Sequence, residues 1–451
     1  MKPKPEGPMS GPASGTRLAP ETEVETIERL RRESIVYDGV TGLPIHPFER
    51  PERLPSLERI EHLGVIYLQL GRFFGFEEFY GWEQYDRVLV VVAEGLQRDM
   101  SSSRLAPYFV SLRFSGSDGF YILLSLPAPE RRRQVPSLEE EAARFQSNTI
   151  RRLRQTFGGT LVDLISVYVS SLTAADNPRA RSSRHLIRSL GEAAKIVSRQ
   201  QTREKHDLCA SLKTVLGAKQ LKPAFQPVCH LPGGEVLGYE ALIRGPRGSP
   251  LEQPNALFAV AHENEMGVEL ETLCLETIFA KLPRSVGSRR LFVNASARLL
   301  RHPVFLDERN LNALNRGHTD IVIEISEKEM VGDYSSFRDI LAKVRKAKLK
   351  IAIDDAGSGY SGLEAILYMR PDYIKVADSL VRQLETDPIK REIISSLASI
   401  GRQIQATLIA EGIERKEERE ALVQLGIPLG QGYLLGRPSF QVSSRRRAST
   451  H

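Results

Sequence analysis

Three stretches decide the fold: DIVIEIS at 320–326, KIAIDD at 350–355 and DYIKVA at 372–377. Each is a short run rich in isoleucine and valine that ends on a polar or charged side chain. Runs of this length and composition read as buried strands. Between the first two, residues 335–347 carry the three-and-four spacing of an amphipathic helix. Working outward, Arg290–Ser296, Thr407–Gly412 and Leu429–Leu434 read as further strands, and 389–403 and 415–425 as further helices. Alternating strands and helices imply a mostly parallel sheet with right-handed crossovers. At least seven such units within residues 219–440 favour a closed TIM-like (β/α) barrel over an open sheet. An open doubly wound sheet is the alternative, but no glycine-rich dinucleotide fingerprint follows an early strand.

The residue at which each run stops carries the chemical information. Val293 is followed by Asn294, Ile323 by Glu324, Ile353 by Asp354 and Asp355, Ile374 by Lys375, Ala410 by Glu411 and Gly430 by Gln431; an earlier run, Val236–Tyr239, is followed by Glu240. In a parallel barrel the strand C-termini share one face, where active sites lie. Five carboxylates gathered there raise one another's pKa unless a counter-charge is present. All-oxygen donors with one amide suit Mg²⁺ or Mn²⁺ rather than zinc, and two such ions serve phosphodiester hydrolysis. Each residue also has a plainer reading. A lone carboxylate after a strand is usually an exposed loop residue, Asn294 could cap a helix, and Lys375 could lie on the surface. The succession of strand ends outweighs the single positions.

Composition narrows the class. The 451 residues hold 41% hydrophobic and 26% charged side chains, as a globular protein does. A net charge of +6 is too mild to imply a nucleic-acid polymer as partner. No apolar run reaches membrane-spanning length, and no apolar core follows the first lysines, so no membrane partner and a cytoplasmic location are expected. The three cysteines form no CxxC pair and the nine histidines no HxxxH pair. The apolar run Val88–Ala93 suits a strand or a buried helix. Residues 1–34 read as a Pro/Gly/Ser-rich disordered leader with a short helix. Residues 35–185 read as an α/β sandwich with strands near 63–70, 108–114, 121–126 and 161–171. Residues 186–218 read as a helical linker and 441–451 as a basic tail.

Gln226-Pro227, Glu240–Arg244, the VNAS segment containing Asn294, Glu324–Glu327, DDAGSGYSGL at 354–363, Lys375, Glu411–Glu414 and QGYLLGRP at 431–438 resemble the EAL family of cyclic-di-GMP phosphodiesterases over essentially all of 219–440. The resemblance implies hydrolysis of cyclic di-GMP to linear pGpG on a TIM-like barrel, with two Mg²⁺ or Mn²⁺ ions. It assigns the first metal to Glu240, Asn294, Glu324 and Asp354. Asp354 would bridge to a second metal completed by Asp355 and Glu411. Lys375 would position the attacking water, Glu411 would act as base, and Glu240 would belong to the catalytic set. Gln226, Leu242, Arg244 and Gln431 would line the substrate site. Glu327 would anchor the loop 354–363, which in the family links the site to a homodimer interface. The chain departs from the family at Ala377, where an Asp is usual, and at Ala356, where a Phe is usual.

The first half resembles a GGDEF (diguanylate cyclase) domain of nucleotidyl-cyclase type, through DGVTGLP at 38–44, Gly71–Phe73 followed by Tyr80-Gly81, and GSDGF at 116–120. Its chemistry is eroded. Gln69 and Gly71 stand at metal-binding Asp positions, Glu77 at the guanine-reading Asn and Gly119 at the signature Glu; the inhibitory RxxD is absent at Pro107 and Val110. A cyclase needs carboxylates to hold Mg²⁺ against a triphosphate, so this half is expected to be catalytically silent and to regulate. GTP is the ligand the resemblance would assign to it, and Glu77 stands against that. For the whole chain the expectation is a metal-dependent cyclic-di-GMP phosphodiesterase without cyclase activity. The alternative is a non-catalytic cyclic-di-GMP receptor or a partner-binding scaffold.

Overall fold

The computed structural model describes residues 37–45, 62–72, 82–116, 118–158, 165–175, 182–286, 289–307, 320–327, 334–357 and 362–442. The expected leader and short helix, Glu77, Tyr80-Gly81, residues 358–361 of the expected loop, and the arginines of the tail lie outside the described residues. The chain divides into two compact units, and the second holds Leu70–Val92, Gln146–Tyr168 and Ile196 onward.

The N-terminal half contains a four-stranded sheet built from β1 (His62–Arg72), β2 (Phe109–Phe114), β3 (Gly119–Leu126) and β4 (Ile165–Ala175), in the order β2-β3-β1-β4. β3 lies antiparallel to both β1 and β2. The run Val88–Ala93 is helical, inside helix Trp82–Ser101. Tyr85, Val88, Leu89, Val92, Ala93, Leu96 and Met100 are its buried hydrophobic residues; three-and-four spacing over twenty residues outweighs the β-propensity of three adjacent valines.

Helix Ser182–Gly217 then runs for 36 residues. In its last turns Leu208, Leu212, Val215 and Leu216 pack into the core of the second unit. That unit contains a closed eight-stranded barrel made of β5 (Lys222–His230), β6 (Val236–Arg244), β7 (Arg290–Asn294), β8 (Ile321–Ser326), β9 (Lys350–Ala356), β10 (Tyr373–Val376), β11 (Thr407–Ala410) and β12 (Leu429–Gly430). Seven strands run parallel, and β5 is antiparallel to both neighbours. β5 escapes the strand–helix rhythm because it joins β6 through a hairpin. There Gly234, at φ 76°, donates its amide to the His230 carbonyl.

Two boundaries differ from expectation in ways that matter. β6 does not stop at Tyr239 but continues to Arg244, because β5 pairs with it along that whole length. β12 is two residues long rather than six. Gly432, at φ 156°, turns the chain so close to Ile413 that a Cβ there would come within 2.2 Å of its backbone.

A closed ring of apolar residues crosses the barrel, one from each strand: Val228, Leu237, Phe292, Val322, Ala352, Tyr373, Ile409 and Leu429. Packed layers of this kind make a barrel interior a solid core rather than a pore. Phe292 and Tyr373 meet edge to face, with ring centroids 5.4 Å apart. The ring forms the floor of everything above it.

Candidate active site

Alternate residues of a strand face the same way. Two positions beyond the apolar ring, the inward-facing residues are therefore Asn294 on β7, Glu324 on β8, Asp354 on β9 and Lys375 on β10, with Glu411 and Gln431 following β11 and β12. On antiparallel β5 the same step runs backward and gives Gln226. On β6, where the β5–β6 ladder shifts register beside Val228, Glu240 pairs with Gln226. One layer of the barrel thus changes from wholly apolar to wholly polar in a single pleat, at the end where the parallel strands finish.

Lys375 stands at the centre of this layer and is 1% exposed. Its Nζ lies 2.8 Å from Glu411 Oε1, 2.9 Å from Glu324 Oε1, 2.9 Å from Asp354 Oδ1 and 3.6 Å from Glu240 Oε2. The plain reading of Lys375 as a surface residue is therefore wrong: β10 points it inward, and four carboxylates keep it charged. Burial alone would lower its pKa, but Asp354, Glu240, Glu324 and Glu411 reverse that and push it well above the ordinary lysine value.

The carboxylates divide. Burial works to raise Glu240, yet the Lys375 ammonium and the side-chain amides of Gln431 and Asn294 outweigh it and hold Glu240 below the usual range. Gln431 Nε2 donates to Glu240 Oε2 at 2.6 Å and to Gln226 Oε1 at 3.1 Å; Asn294 Nδ2 donates to Glu240 Oε1 at 3.0 Å. Gln226 is fixed in turn by donating to the Gly436 carbonyl at 3.1 Å. Glu324 and Glu411 move the other way. Burial, with the negative charge of Glu240 and Asp354, drives both well above the carboxylate range against the pull of Lys375.

Asp355 breaks the alternation. Its φ of 58° is left-handed, which an Asp tolerates better than most residues, and its amide donates to Asp354 Oδ1 at 3.1 Å. The kink lets two consecutive carboxylates serve one place, with ligand oxygens of Asp354, Asp355 and Glu411 all within 4.8 Å of one another. Such strain at a cluster of this kind is characteristic of functional backbone.

The donor set fits a hard divalent cation. It is all oxygen, from Glu240, Asn294, Glu324, Asp354, Asp355 and Glu411. One ammonium faces more negative charge than it balances, and Glu324 meets it through Oε1 alone, its Oε2 being buried without a hydrogen-bond donor.

The remaining expected residues fall nearby. Leu242 and Arg244 continue the inward face of β6 beyond Glu240. Glu327, buried at the end of β8, accepts from the Gly357 amide at 3.1 Å and so holds the start of the segment after β9.

One residue escaped the sequence reading. Glu271, buried on helix Gly267–Ala280, accepts the Ser296 amide at 2.8 Å and the Ser296 hydroxyl at 2.7 Å. Ser296 caps helix Ala297–Arg301, two residues after Asn294. The available signal was a carboxylate among the leucines of an otherwise apolar helix, LETLCLE at 270–276.

The EAL domain family model matches residues 210–438, about half of the chain. The bifunctional diguanylate cyclase/cyclic di-GMP phosphodiesterase MucR of Pseudomonas aeruginosa is 24% identical over 94% of this chain and 64% of its own length. The probable cyclic di-GMP phosphodiesterase PdeG of Escherichia coli is 29% identical over 50% of this chain and 46% of its own. A solved structure of the PaMucR phosphodiesterase in complex with c-di-GMP aligns over 52% of this chain and 97% of that one, with 27% identity and a TM-score of 0.46. The chain spans about half to two thirds of the length of these curated relatives. Among the described residues, no helix is long and apolar enough to cross a membrane.

Proposed function

The chain belongs to the EAL domain family, and on that premise we propose that it hydrolyses cyclic di-GMP to linear pGpG at the polar layer of its barrel, with its first half catalytically silent. The observation that carries the reading is the placement of Lys375 among Glu240, Glu324, Asp354 and Glu411 at the strand C-termini. Divalent cations held by those carboxylates, Asn294 and Asp355, with Mg²⁺ or Mn²⁺ as the expected ions, would polarise the phosphodiester and acidify a water.

The protein's own groups do the rest. Water adds to phosphorus, the bond from phosphorus to the 3′-oxygen breaks, that oxygen takes a proton from solvent and leaves as a hydroxyl, and the phosphate stays on the 5′-oxygen. Glu411, at the end of β11 and 2.8 Å from the Lys375 ammonium that favours its charged form, accepts the water's proton as base. Lys375 positions the water and offsets the charge that grows on the phosphoryl oxygens. Glu240, oriented by Gln431 and Asn294, holds the cluster in shape, and Gln226, Leu242, Arg244 and Gln431 line the substrate.

The silence of the first half is supported by what fills its eroded positions. A Cβ at Gly71 would come within 2.6 Å of the Tyr168 ring, and one at Gly119 within 2.3 Å of the Tyr67 hydroxyl. Aromatic side chains thus take the space in which a cyclase would keep carboxylates, which supports the absence of cyclase chemistry and gives no support to bound GTP. A homodimer is part of the same reading. Leu363 and Leu367, on the helix that follows the loop anchored by Glu327, are 61% and 66% exposed, an apolar pair suited to an interface.

A turnover assay tests the main claim. The full chain with Mg²⁺ or Mn²⁺ should convert cyclic di-GMP to pGpG, and Glu240→Ala should not. A wild type that binds cyclic di-GMP without turning it over in either metal would replace this reading with that of a receptor. Ala377, at a position where the family usually has Asp, is the one feature favouring that second reading.

A further inference from the structure

The two halves of the carboxylate layer are held in place by different means. Glu240 is fixed by the side-chain amides of Gln431 and Asn294, and Asn294 and Glu324 lie opposite each other in the β7–β8 ladder. Asp355 and Glu411 are placed by their backbone. Asp355 leaves the strand alternation at φ 58°, and Glu411 lies one residue past the end of β11. Each is followed by a glycine with positive φ: Gly357, at 91°, two residues after Asp355, and Gly412, at 65°, directly after Glu411.

Both glycines press against one short helix, Asp378–Val381, which starts three residues after Lys375. A Cβ at Gly357 would come within 2.5 Å of Leu380 Cδ1, and one at Gly412 within 2.5 Å of Asp378 Cβ. The helix thus bridges the segments that carry Asp355 and Glu411, whose ligand oxygens lie with one of Asp354 within 4.8 Å of one another. It is anchored in turn by its outer neighbours. Lys390 Nζ, on helix Pro388–Ile404, donates to the carbonyls of Ser379 and Arg382 at 2.8 Å each. The Gln383 amide donates to the buried Glu418 carboxylate at 3.2 Å. Val381 and Leu384 are fully buried, so the helix is seated in the core and does not ride on the surface.

We propose that Leu380 is a positioning residue for the Asp354–Asp355–Glu411 half of the layer. An Asp at left-handed φ persists only where its surroundings over-determine it. Leu380 packed on Gly357 supplies that constraint, together with Glu327, which accepts the Gly357 amide at 3.1 Å. The contacts named here reach the ends of β9 and β11, and none of them reaches Glu240, Asn294 or Glu324. The proposal rests on the divalent-cation reading given above and divides it. Loss of Leu380 weakens the cation held by Asp354, Asp355 and Glu411 and spares the one held by Glu240, Asn294 and Glu324.

The test is Mn²⁺ binding to the full chain without substrate, measured by calorimetry, with the unfolding midpoint recorded alongside. Wild type should bind two ions. Leu380→Ala should weaken one of them about tenfold, the usual scale for a group that orients ligands from behind, and leave the other within twofold. Leu380→Met, which keeps reach and apolar bulk, should recover most of the loss. Leu380→Val, a milder truncation, should show the same selectivity at about threefold and stands in if the alanine protein does not fold. Leu341→Ala makes an equal truncation at a buried site on helix Tyr334–Lys346. It should lower the midpoint and change neither affinity. Truncated Leu380 proteins that bind both ions as wild type does, or lose both equally, overturn the proposal, as does a Leu341→Ala protein with the same selective loss. Wild type that binds two ions without turning over cyclic di-GMP sinks the enzymatic reading and leaves Leu380 to be judged by its variants. Wild type that binds fewer than two ions sinks the proposal together with the two-cation reading.

Discussion

Ala377 donates its backbone amide to the carbonyl of Ala356 at 3.2 Å. The two positions at which this chain departs from its family therefore meet across the β9–β10 ladder, one pleat beyond Asp354 and Lys375. Both are buried, at 2% and 0% exposure, so the surrounding structure has closed over two small side chains. Restoring the family's usual aromatic by Ala356→Phe should overpack this joint and destabilise the protein by about 1–3 kcal/mol or more. Thermal or urea unfolding measures it, and an unchanged midpoint would show an unfilled space beside Ala356.

Lys375 is the only ammonium placed within 4 Å of the clustered carboxylates among the described residues. Lys375→Met keeps the stem and removes the charge. In EDTA it should cost about 3–5 kcal/mol, because a buried charge cluster loses its partner. Adding Mg²⁺ should recover part of that loss and should stabilise the variant more than the wild type. Unfolding curves with and without metal decide the point; equal metal stabilisation of the two proteins would mean that Lys375 and the cation do not share these carboxylates.

Glu418 ties the segment after Glu411 to the rest of the barrel. Its carboxylate accepts the Glu414 amide at 3.0 Å, the Arg415 amide at 3.1 Å and the Gln383 amide at 3.2 Å, and pairs with the Arg415 guanidinium at 3.1 Å. Burial would raise its pKa, but these donors win and lower it. The folded state thus holds the charged form more tightly than the unfolded chain. That stabilisation is complete above the unfolded pKa and is lost as pH falls through the lower folded value. Glu418→Gln should be less stable than wild type by about 1–3 kcal/mol at neutral pH, with the gap constant down to about pH 5 and narrowing below about pH 4. A gap that widens toward acid would reverse the assignment.

Much of this site was legible because strand alternation is a strict code. Once 321–326, 350–356 and 373–376 are strands, Glu324, Asp354 and Lys375 face one way, and the apolar residues two positions earlier must form the floor beneath them. The code failed where the backbone leaves it. Asp355 reaches the same place as Asp354 only through its left-handed φ, which spacing does not announce. β5 was missed because Pro223 and Pro227 weaken its strand signature, and because a hairpin, not a helix, follows it. Glu271 was missed because its partner Ser296 lies 25 residues away and no local pattern joins them.

Glu271 gives the last test. Both its oxygens are committed to Ser296, the cap of helix Ala297–Arg301, and Ser296 follows Asn294 by two residues. Glu271→Ala leaves the half-buried amide and hydroxyl of Ser296 without their acceptor, which should cost about 1–3 kcal/mol of stability. If the carboxylate also holds Asn294 in place, the variant should need about tenfold more Mg²⁺ for half-maximal turnover, the usual scale for a group that orients a ligand from behind. Glu271→Gln can still accept the Ser296 amide and should recover most of both effects. A Glu271→Ala protein that melts earlier but is activated by the same Mg²⁺ concentration as wild type would confine Glu271 to holding the helix cap.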